Sequence, residues 1–406
     1  MTDYRPRELA GRLGEVMAAL PVVVVSGLRQ AGKSTFLAHQ RELVSTHAYH
    51  TLDDFATLAA ARARPDGLLA EAAVIDEVQR CPELLLAIKR AVDSQRQKGR
   101  FVLSGSANLE LLAHVSETLA GRAGYLTLHP MTRRECRGEV DGDPFVARWL
   151  RQPGQLPPAA AAVSDQEVLA GGLPPVCLAP AESRAEWLRA YVQTYVERDL
   201  RQISQITDLV SFRLLAQLAA LRTGQVLNVS SLGREARLSA TTANRYLDLL
   251  EASFLTMRLP PHLRNRSSRL VKSHKLHFTD SGLAAHLAGV DDLAAPVNSA
   301  LRGALYETYV AQNLSALLAY HRPDARLCYW LEQGRHEVDF VIEDGPATMA
   351  IEVKAASRWS SGDLAGLRAF LDRAPHTTAA VLAYNGEQAV QLDERLWAVG
   401  LGQLLA

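Results

Sequence analysis

The sequence predicts an α/β fold: a parallel sheet built around a phosphate-binding loop, then a small helical unit, then a second α/β domain. Three observations predict it. A β-branched run, Val22–Ser26, feeds the glycine-rich turn Gly27-Leu28-Arg29-Gln30-Ala31-Gly32-Lys33-Ser34-Thr35. Strand-like runs then alternate with helix-favouring stretches through the first third, the pattern of a parallel three-layer sheet. In the last third, a long helical stretch precedes three strand-like runs in which carboxylates and a lysine alternate with apolar residues.

The turn after the first strand fits G-x-x-x-x-G-K-[ST] at every defined position. Its glycines let the backbone curl so that N–H groups converge on a phosphate. Lys33 supplies a point charge for the β- and γ-phosphates, and the Ser34 hydroxyl is an Mg²⁺ ligand. ATP with Mg²⁺ is the expected occupant, held by Gly27, Arg29, Gln30, Ala31, Gly32, Lys33, Ser34 and Thr35. A second acidic site is needed for hydrolysis, and the apolar run Ala73–Ile75 ends in Asp76 and Glu77. Asp76 is expected in the Mg²⁺ shell, and Glu77 as the base that takes a proton from the attacking water. Further strands are expected at Ala48–Leu52, Phe101–Ser104 and Tyr125–Leu128, with helices over Lys33–Glu42 and Glu83–Gln97.

The 406 residues suffice for two or three domains, and 48% hydrophobic with 22% charged residues is a globular composition. Lys+Arg and Asp+Glu number 44 each, so any nucleic-acid contact must come from a local patch. Cys81, Cys136, Cys177 and Cys328 lack metal-ligand spacing, which argues for reduced thiols. With no signal-peptide pattern at the start and no apolar run of membrane-spanning length, a cytoplasmic protein without a membrane partner is expected.

Residues 1–138 form the expected nucleotide domain. Residues 139–165, rich in Pro, Ala, Gly and Gln, read as a linker, and 166–225 as a helical connector. Within 226–295, Ser230 opens a short helix, Arg237–Ser239 turns, and Ser239 caps a longer helix carrying Arg245. Leu232, Ala236, Leu238, Ala243, Leu247 and Leu250 would make its core. From Arg258 to Lys275 there are six basic residues and no acidic one. A helix-turn-helix trailed by a basic hairpin is the layout of a winged helix, and DNA is the expected partner, through Arg245, Arg264, Arg266, Arg269, Lys272 and Lys275. The competing reading is a protein–protein spacer.

Residues 296–406 begin with the helical stretch Leu301–Tyr320, which carries Glu307, followed by strands at Arg326–Leu331, Glu337–Ile342 and Thr348–Lys354. Side chains alternate faces along a strand, so Glu352 and Lys354 share a face while Ile351 and Val353 take the other. Asp339 lies between apolar neighbours in the preceding strand. Side by side, these strands bring Asp339, Glu352 and Lys354 together. The two carboxylates, with Glu307, are candidate ligands of a divalent metal, and Lys354 could orient the attacking water.

Helix with Glu, strand, strand with Asp, strand with Glu-x-Lys resembles the core of a PD-(D/E)xK nuclease. The whole chain resembles bacterial and archaeal AAA+ ATPases that carry a C-terminal domain of uncharacterised function. The resemblance rests on the phosphate loop, Ile75-Asp76-Glu77, Leu103–Ser106, Leu119–Arg122, Leu128–Glu135, Gly171–Pro175, Tyr195–Leu200, Lys272–Lys275, Asp280–Leu283, Val338-Asp339-Phe340 and Ile351–Lys354. It implies an AAA+ core, a winged helix and a restriction-endonuclease-like domain whose Asp339, Glu352 and Glu307 take Mg²⁺ or Mn²⁺, with Lys354 catalytic. It also implies a sensor residue at Ser106, with Asn108 next, and Arg122 as sensor or finger, with Arg198 as runner-up. Fingers act on a neighbour's nucleotide, so a homo-oligomer is implied. The alternative function is an ATP-dependent regulator, or a defence or switch protein, whose nuclease-like domain is catalytically idle.

Overall fold

Four consecutive valines suit a strand covered on both faces, and β1 (Val22–Ser26) is buried at every position. The computed structural model describes all residues except 1–3, 106–117, 200–205, 207, 264–271 and 333–334. These divide into two compact units, Met1–His129 with Ala252–Phe254, and Pro130–Glu251 with Leu255–Ala406.

In the first unit, β1 joins β2 (Ala48–Thr51), β3 (Ala73–Asp76), β4 (Phe101–Ser104) and β5 (Ala123–Thr127) in a parallel sheet of order β2-β3-β4-β1-β5. The helix Leu84–Ser94 lays Leu84, Leu85, Ile88 and Val92 on this sheet at helical spacing. It stops short of the expected Gln97 because Gln95 is extended and the Arg100 guanidinium serves as the cap, donating to the Ala91 carbonyl at 3.0 Å. The helix expected over Lys33–Glu42 breaks at Gln40 into Lys33–His39 and the single turn Arg41–Val44. β5 begins two residues before the expected Tyr125. Ala123 and Gly124 are weak strand formers, but pairing of Val22 with Ala123 and Val23 with Gly124 holds them extended.

In the second unit, part of the expected linker is a packed helix, Phe145–Arg151. Trp149 sits between Phe145 and Trp397, with ring centroids at 4.6 and 5.1 Å, so its burial outweighs the Pro- and Ala-rich surroundings. The middle of the chain runs through helix Leu209–Leu221, β6 (Gln225–Val226), helices Val229–Glu235 and Ala240–Ala252, β7 (Thr256–Leu259) and β8 (Lys275–Phe278). The strands form an antiparallel sheet of order β6-β8-β7. Asn228 caps the first short helix and Ser239 the longer one, each accepting a backbone N–H three residues on. Leu232, Ala236, Ala243, Leu247 and Leu250 are buried, and Leu238 is half-buried.

The long helix Ser299–His321 precedes β9 (Arg326–Glu332), β10 (His336–Asp344) and β11 (Ala347–Lys354), an antiparallel meander. After helix Ala365–Arg373, β12 (Ala379–Tyr384), β13 (Val390–Asp393) and β14 (Leu396–Gly400) complete a six-stranded sheet of order β13-β14-β12-β11-β10-β9. Among the described residues, no helix is long and apolar enough to cross a membrane.

Candidate functional site

The phosphate loop lies at the C-terminal end of β1, where an open parallel sheet places its ligands. Gly27 is required by space and by conformation: at φ +138°, a Cβ there would lie 2.2 Å from the Leu128 carbonyl oxygen. Gly32, at φ +94°, starts the helix Lys33–His39. Lys33 is buried, and its Nζ donates to the carbonyls of Gly27 and Leu28 at 3.0 Å each, across the mouth of the loop. Burial lowers its pKa to about 8, against the pull of the Glu77 and Asp76 carboxylates.

β3 delivers Asp76 and Glu77 at the same end of the sheet. The buried Asp76 is braced on three sides. Its Oδ1 accepts from the Ser104 hydroxyl and from the Glu77 N–H at 3.1 Å, and its Oδ2 accepts from the Tyr49 phenol at 3.0 Å. Glu77 adopts φ +57°, a left-handed conformation uncommon outside glycine. Burial pushes its carboxyl up, a hydrogen bond from the Gln79 amide pulls it back, and the Asp76 charge adds to the rise. A raised pKa suits a proton acceptor. These carboxylates and the loop residues fit a magnesium nucleotide: Ser34 and Asp76 would hold the ion, which when bound would neutralise phosphate charge.

Arg7 and Tyr49 belong to no motif in the sequence, and Ser104, though inside Leu103–Ser106, is not among the expected site residues. Arg7 braces the loop from the N-terminal segment, donating to the Ala31 carbonyl at 2.8 Å and the His129 carbonyl at 2.6 Å. Ser104 carries a signal, being the one polar residue of an apolar strand neighbouring that of Asp76; Arg7 and Tyr49 carry none. Ser106 and Asn108, expected as sensors, lie outside the described residues. Arg122 does not reach the loop of its own sheet. Parallel pairing of Val22 with Ala123 sets it at the opposite edge, roughly 16 Å away at 3.3 Å per strand residue. There its guanidinium grips Asp93 through two hydrogen bonds, at 2.6 and 3.0 Å.

The second unit gathers the other expected residues around Lys275. The last register pair of β10 and β11 is Phe340 with Ile351, and Asp339 and Glu352 are the next residue on each strand. Lys275 is 1% exposed, and its Nζ lies 2.7 Å from Glu307, 2.6 Å from Glu337 and 3.1 Å from Asp339. Lys275 is therefore not a DNA contact: its ammonium is buried among carboxylates. Burial acts to lower its pKa, but Asp339, Glu307 and Glu337 outweigh that and hold it well above the usual value. The second oxygen of Asp339 accepts the Val353 N–H at 2.9 Å. Lys354 pairs with Glu352 at 3.0 Å. Burial and the Asp339 charge raise Glu352 to about 8, with Lys354 opposing. His277, which lies in β8 and outside the carboxylate motif of the sequence, is fully buried with Nε2 3.4 Å from Glu307.

The implied metal does not fit these residues. Among the described residues, no group of three His, Cys, Asp or Glu side chains is arranged to hold a metal ion. Both oxygens of Asp339 are engaged, and an ammonium already touches three of the carboxylates. Of the other expected DNA contacts, Arg245 and Lys272 are exposed, whereas Arg264, Arg266 and Arg269 lie outside the described residues.

A glycine-rich loop after the first strand, a carboxylate pair after the third and a sheet of order β2-β3-β4-β1-β5 define an AAA-type P-loop ATPase. Residues 20–137 match an AAA-domain family model, 163–294 a domain of unknown function (DUF8612), and 302–404 a second one (DUF4143). Uncharacterized proteins of Mycobacterium tuberculosis and Mycobacterium bovis are each 31% identical over 404 residues, 98% of this chain and 84% of theirs. The chain belongs to the family these mycobacterial proteins represent. Among solved structures, a Walker-type ATPase of Pyrococcus abyssi matches 70% of this chain and 99% of its own at 16% identity and TM-score 0.43. AMPPCP-bound DnaA from Aquifex aeolicus matches 60% and 85% at 13% identity and TM-score 0.27. Likenesses this slight carry no argument.

Proposed function

We propose that this protein hydrolyses ATP with Mg²⁺ and uses the nucleotide state to regulate a DNA contact made by its middle segment. The observation that carries the first part is the placement of Lys33 and the Asp76–Glu77 pair at one end of one sheet. Lys33, the loop N–H groups and Ser34 bind the triphosphate, Asp76 orients the magnesium shell, and Glu77 accepts the proton of the attacking water. The test is phosphate release from ATP by the purified chain, expected with Mg²⁺ and abolished by chelation. ATP bound without release would leave a nucleotide-gated binder. Arg122, which as a finger would act on a neighbour's nucleotide, and Arg198 as runner-up are the finger candidates, which makes a homo-oligomer part of the proposal.

The DNA contact is supported by element order. Helix, strand, two helices and two antiparallel strands follow one another as in a winged helix, and the segment joining β7 to β8 contains Arg264, Arg266 and Arg269. Arg245 is exposed on the longer helix; Arg258 is tied to Asp248 at 2.7 Å and Glu251 at 3.4 Å, and so contributes less. Binding to duplex DNA is expected to fall steeply with salt. Charge reversal at Arg264, Arg266 and Arg269 is expected to flatten the log–log slope by about one unit for each phosphate no longer neutralised. Unchanged affinity and slope in the triple variant would make the segment a protein contact. No cleavage step is assigned to the C-terminal sheet. The ammonium among its carboxylates favours a regulator with an idle nuclease-like domain over a DNA-cutting enzyme.

A further inference from the structure

A divalent ion and an ammonium compete for the same place among carboxylates, and in this chain the ammonium is covalently tethered. We propose that Lys275 is the resident cation of the Glu307–Glu337–Asp339 cluster, replacing a catalytic metal and fastening β8 to the helix Ser299–His321 and to β10. The inference deepens the reading of the C-terminal domain as non-cutting and rests on it.

Three features carry it. The first is contact. Nζ lies within 2.6 to 3.1 Å of one oxygen on each of three carboxylates, donating hydrogen bonds to Glu337 and Asp339 and forming an ion pair with Glu307. The second is anchorage. Lys275 opens β8, the central strand of its sheet, with its backbone paired to Val226 on one side and Leu259 on the other. Moving the ammonium aside would require either unpairing that strand or leaving a buried charge without its carboxylate partners. The third is engagement of Asp339's second oxygen and of one Glu352 oxygen. The other oxygen of Asp339 takes the Val353 N–H, and Lys354, whose nominal task is beside the attacking water, neutralises Glu352 and lies 4.0 Å from Asp363. A divalent ion entering here would face a fixed positive charge in a poorly screened interior.

β8 belongs to the three-stranded sheet of the middle segment, whereas Glu307, Glu337 and Asp339 belong to the C-terminal helix and sheet. The lysine therefore acts as a clasp between the DUF8612 and DUF4143 regions, made from what resembles a metal site.

The experiment titrates Mn²⁺, with no nucleotide added, into the full chain carrying Ser34→Ala and Asp76→Asn, so that the nucleotide site, stripped of its expected metal ligands, does not register. No binding is expected at millimolar Mn²⁺ while Lys275 is present. Adding Lys275→Ala should create a site at least about tenfold tighter, and Mn²⁺ should restore part of the thermal stability that variant loses. Should Lys275→Ala fail to fold, Lys275→Ala/Glu307→Gln removes one negative charge along with the cation and is expected to gain Mn²⁺ binding too. Sub-millimolar binding to the chain that retains Lys275, abolished by Asp339→Asn, would overturn the inference. So would a folded Lys275 variant that gains no binding. A plasmid-nicking assay on the chain that retains Lys275 separates the two levels: Mn²⁺ binding without cutting overturns the clasp alone, whereas cutting that depends on Asp339 overturns the regulatory reading as well.

Discussion

Lys33→Ala is expected to abolish ATP binding in an equilibrium titration, whereas Glu77→Gln keeps affinity within about threefold and lowers turnover by about 10²–10⁴-fold. The two residues act at different moments. Lys33 reaches ground-state phosphates, so its loss removes binding itself. Glu77 takes a proton only as water attacks, so an isosteric amide removes a transition-state interaction. Geometry separates them as well: Lys33 spans the loop at the end of β1, and Glu77 follows β3, with β4 between the two strands. Equal loss of binding in both variants would remove Glu77 from the base role. The lowered Lys33 pKa adds a pH signature. With its charge half lost near pH 8, ATP affinity should weaken as pH rises through that value, and binding above it should be accompanied by proton uptake. A flat affinity between pH 7 and 9 would show that Lys33 stays charged throughout.

The nucleotide site was legible because its chemistry is local. Phosphate recognition uses consecutive backbone groups and one lysine, so nine residues from Gly27 to Thr35 specify it, and Asp76–Glu77 is marked by the apolar strand before it. Tyr49 and Arg7 are partners made by folding: each reaches the site from another strand or from the N-terminal segment, and no spacing rule connects them to it. The same reason explains Lys275. In sequence it closes a basic run, and a run of like charges normally faces water. The backbone places it at the start of a central strand, with its side chain directed to Glu307, 32 positions later, and to Asp339, 64 positions later. Alternation set Glu352 and Lys354 on one face, and strand pairing brings Asp339 and Glu352 to the residues just beyond the pair Phe340 and Ile351. It could not show which cation they would meet.

A still larger structural role falls to Asp280, which the sequence offered only as part of a family motif. It caps the helix Ser281–Leu287, taking the Leu283 N–H at 2.7 Å, and also accepts the Gly172 and Leu173 N–H groups at 2.7 and 3.0 Å. It is wholly buried, and that burial pushes its carboxyl up while the N–H donors pull it back. One carboxylate thus joins Gly171–Pro175 to Asp280–Leu283. Nearby, Gln312 links the same region to Met131: its Nε2 donates to the Met131 carbonyl at 3.2 Å and its Oε1 accepts the Ser281 N–H at 3.0 Å. Three of the stretches on which the resemblance rests therefore meet through these hydrogen bonds.

Asp280→Ala should strand three buried N–H donors at once and lower the stability of the second unit by about 3–5 kcal/mol, read as a shift in its urea transition. Asp280→Asn, which keeps one acceptor oxygen and loses the charge, should cost less than half as much. Gly171 tests the same junction from the other side. At φ +63°, a Cβ there would lie 2.4 Å from Asp280 Oδ1, so Gly171→Ala should disturb the same hydrogen bonds. Because both substitutions break one junction, the double variant should lose clearly less than the sum of the single losses. Additive losses would mean that the two residues stabilise the unit separately, and a loss below about 1 kcal/mol for Asp280→Ala would mean that water readily replaces the carboxylate.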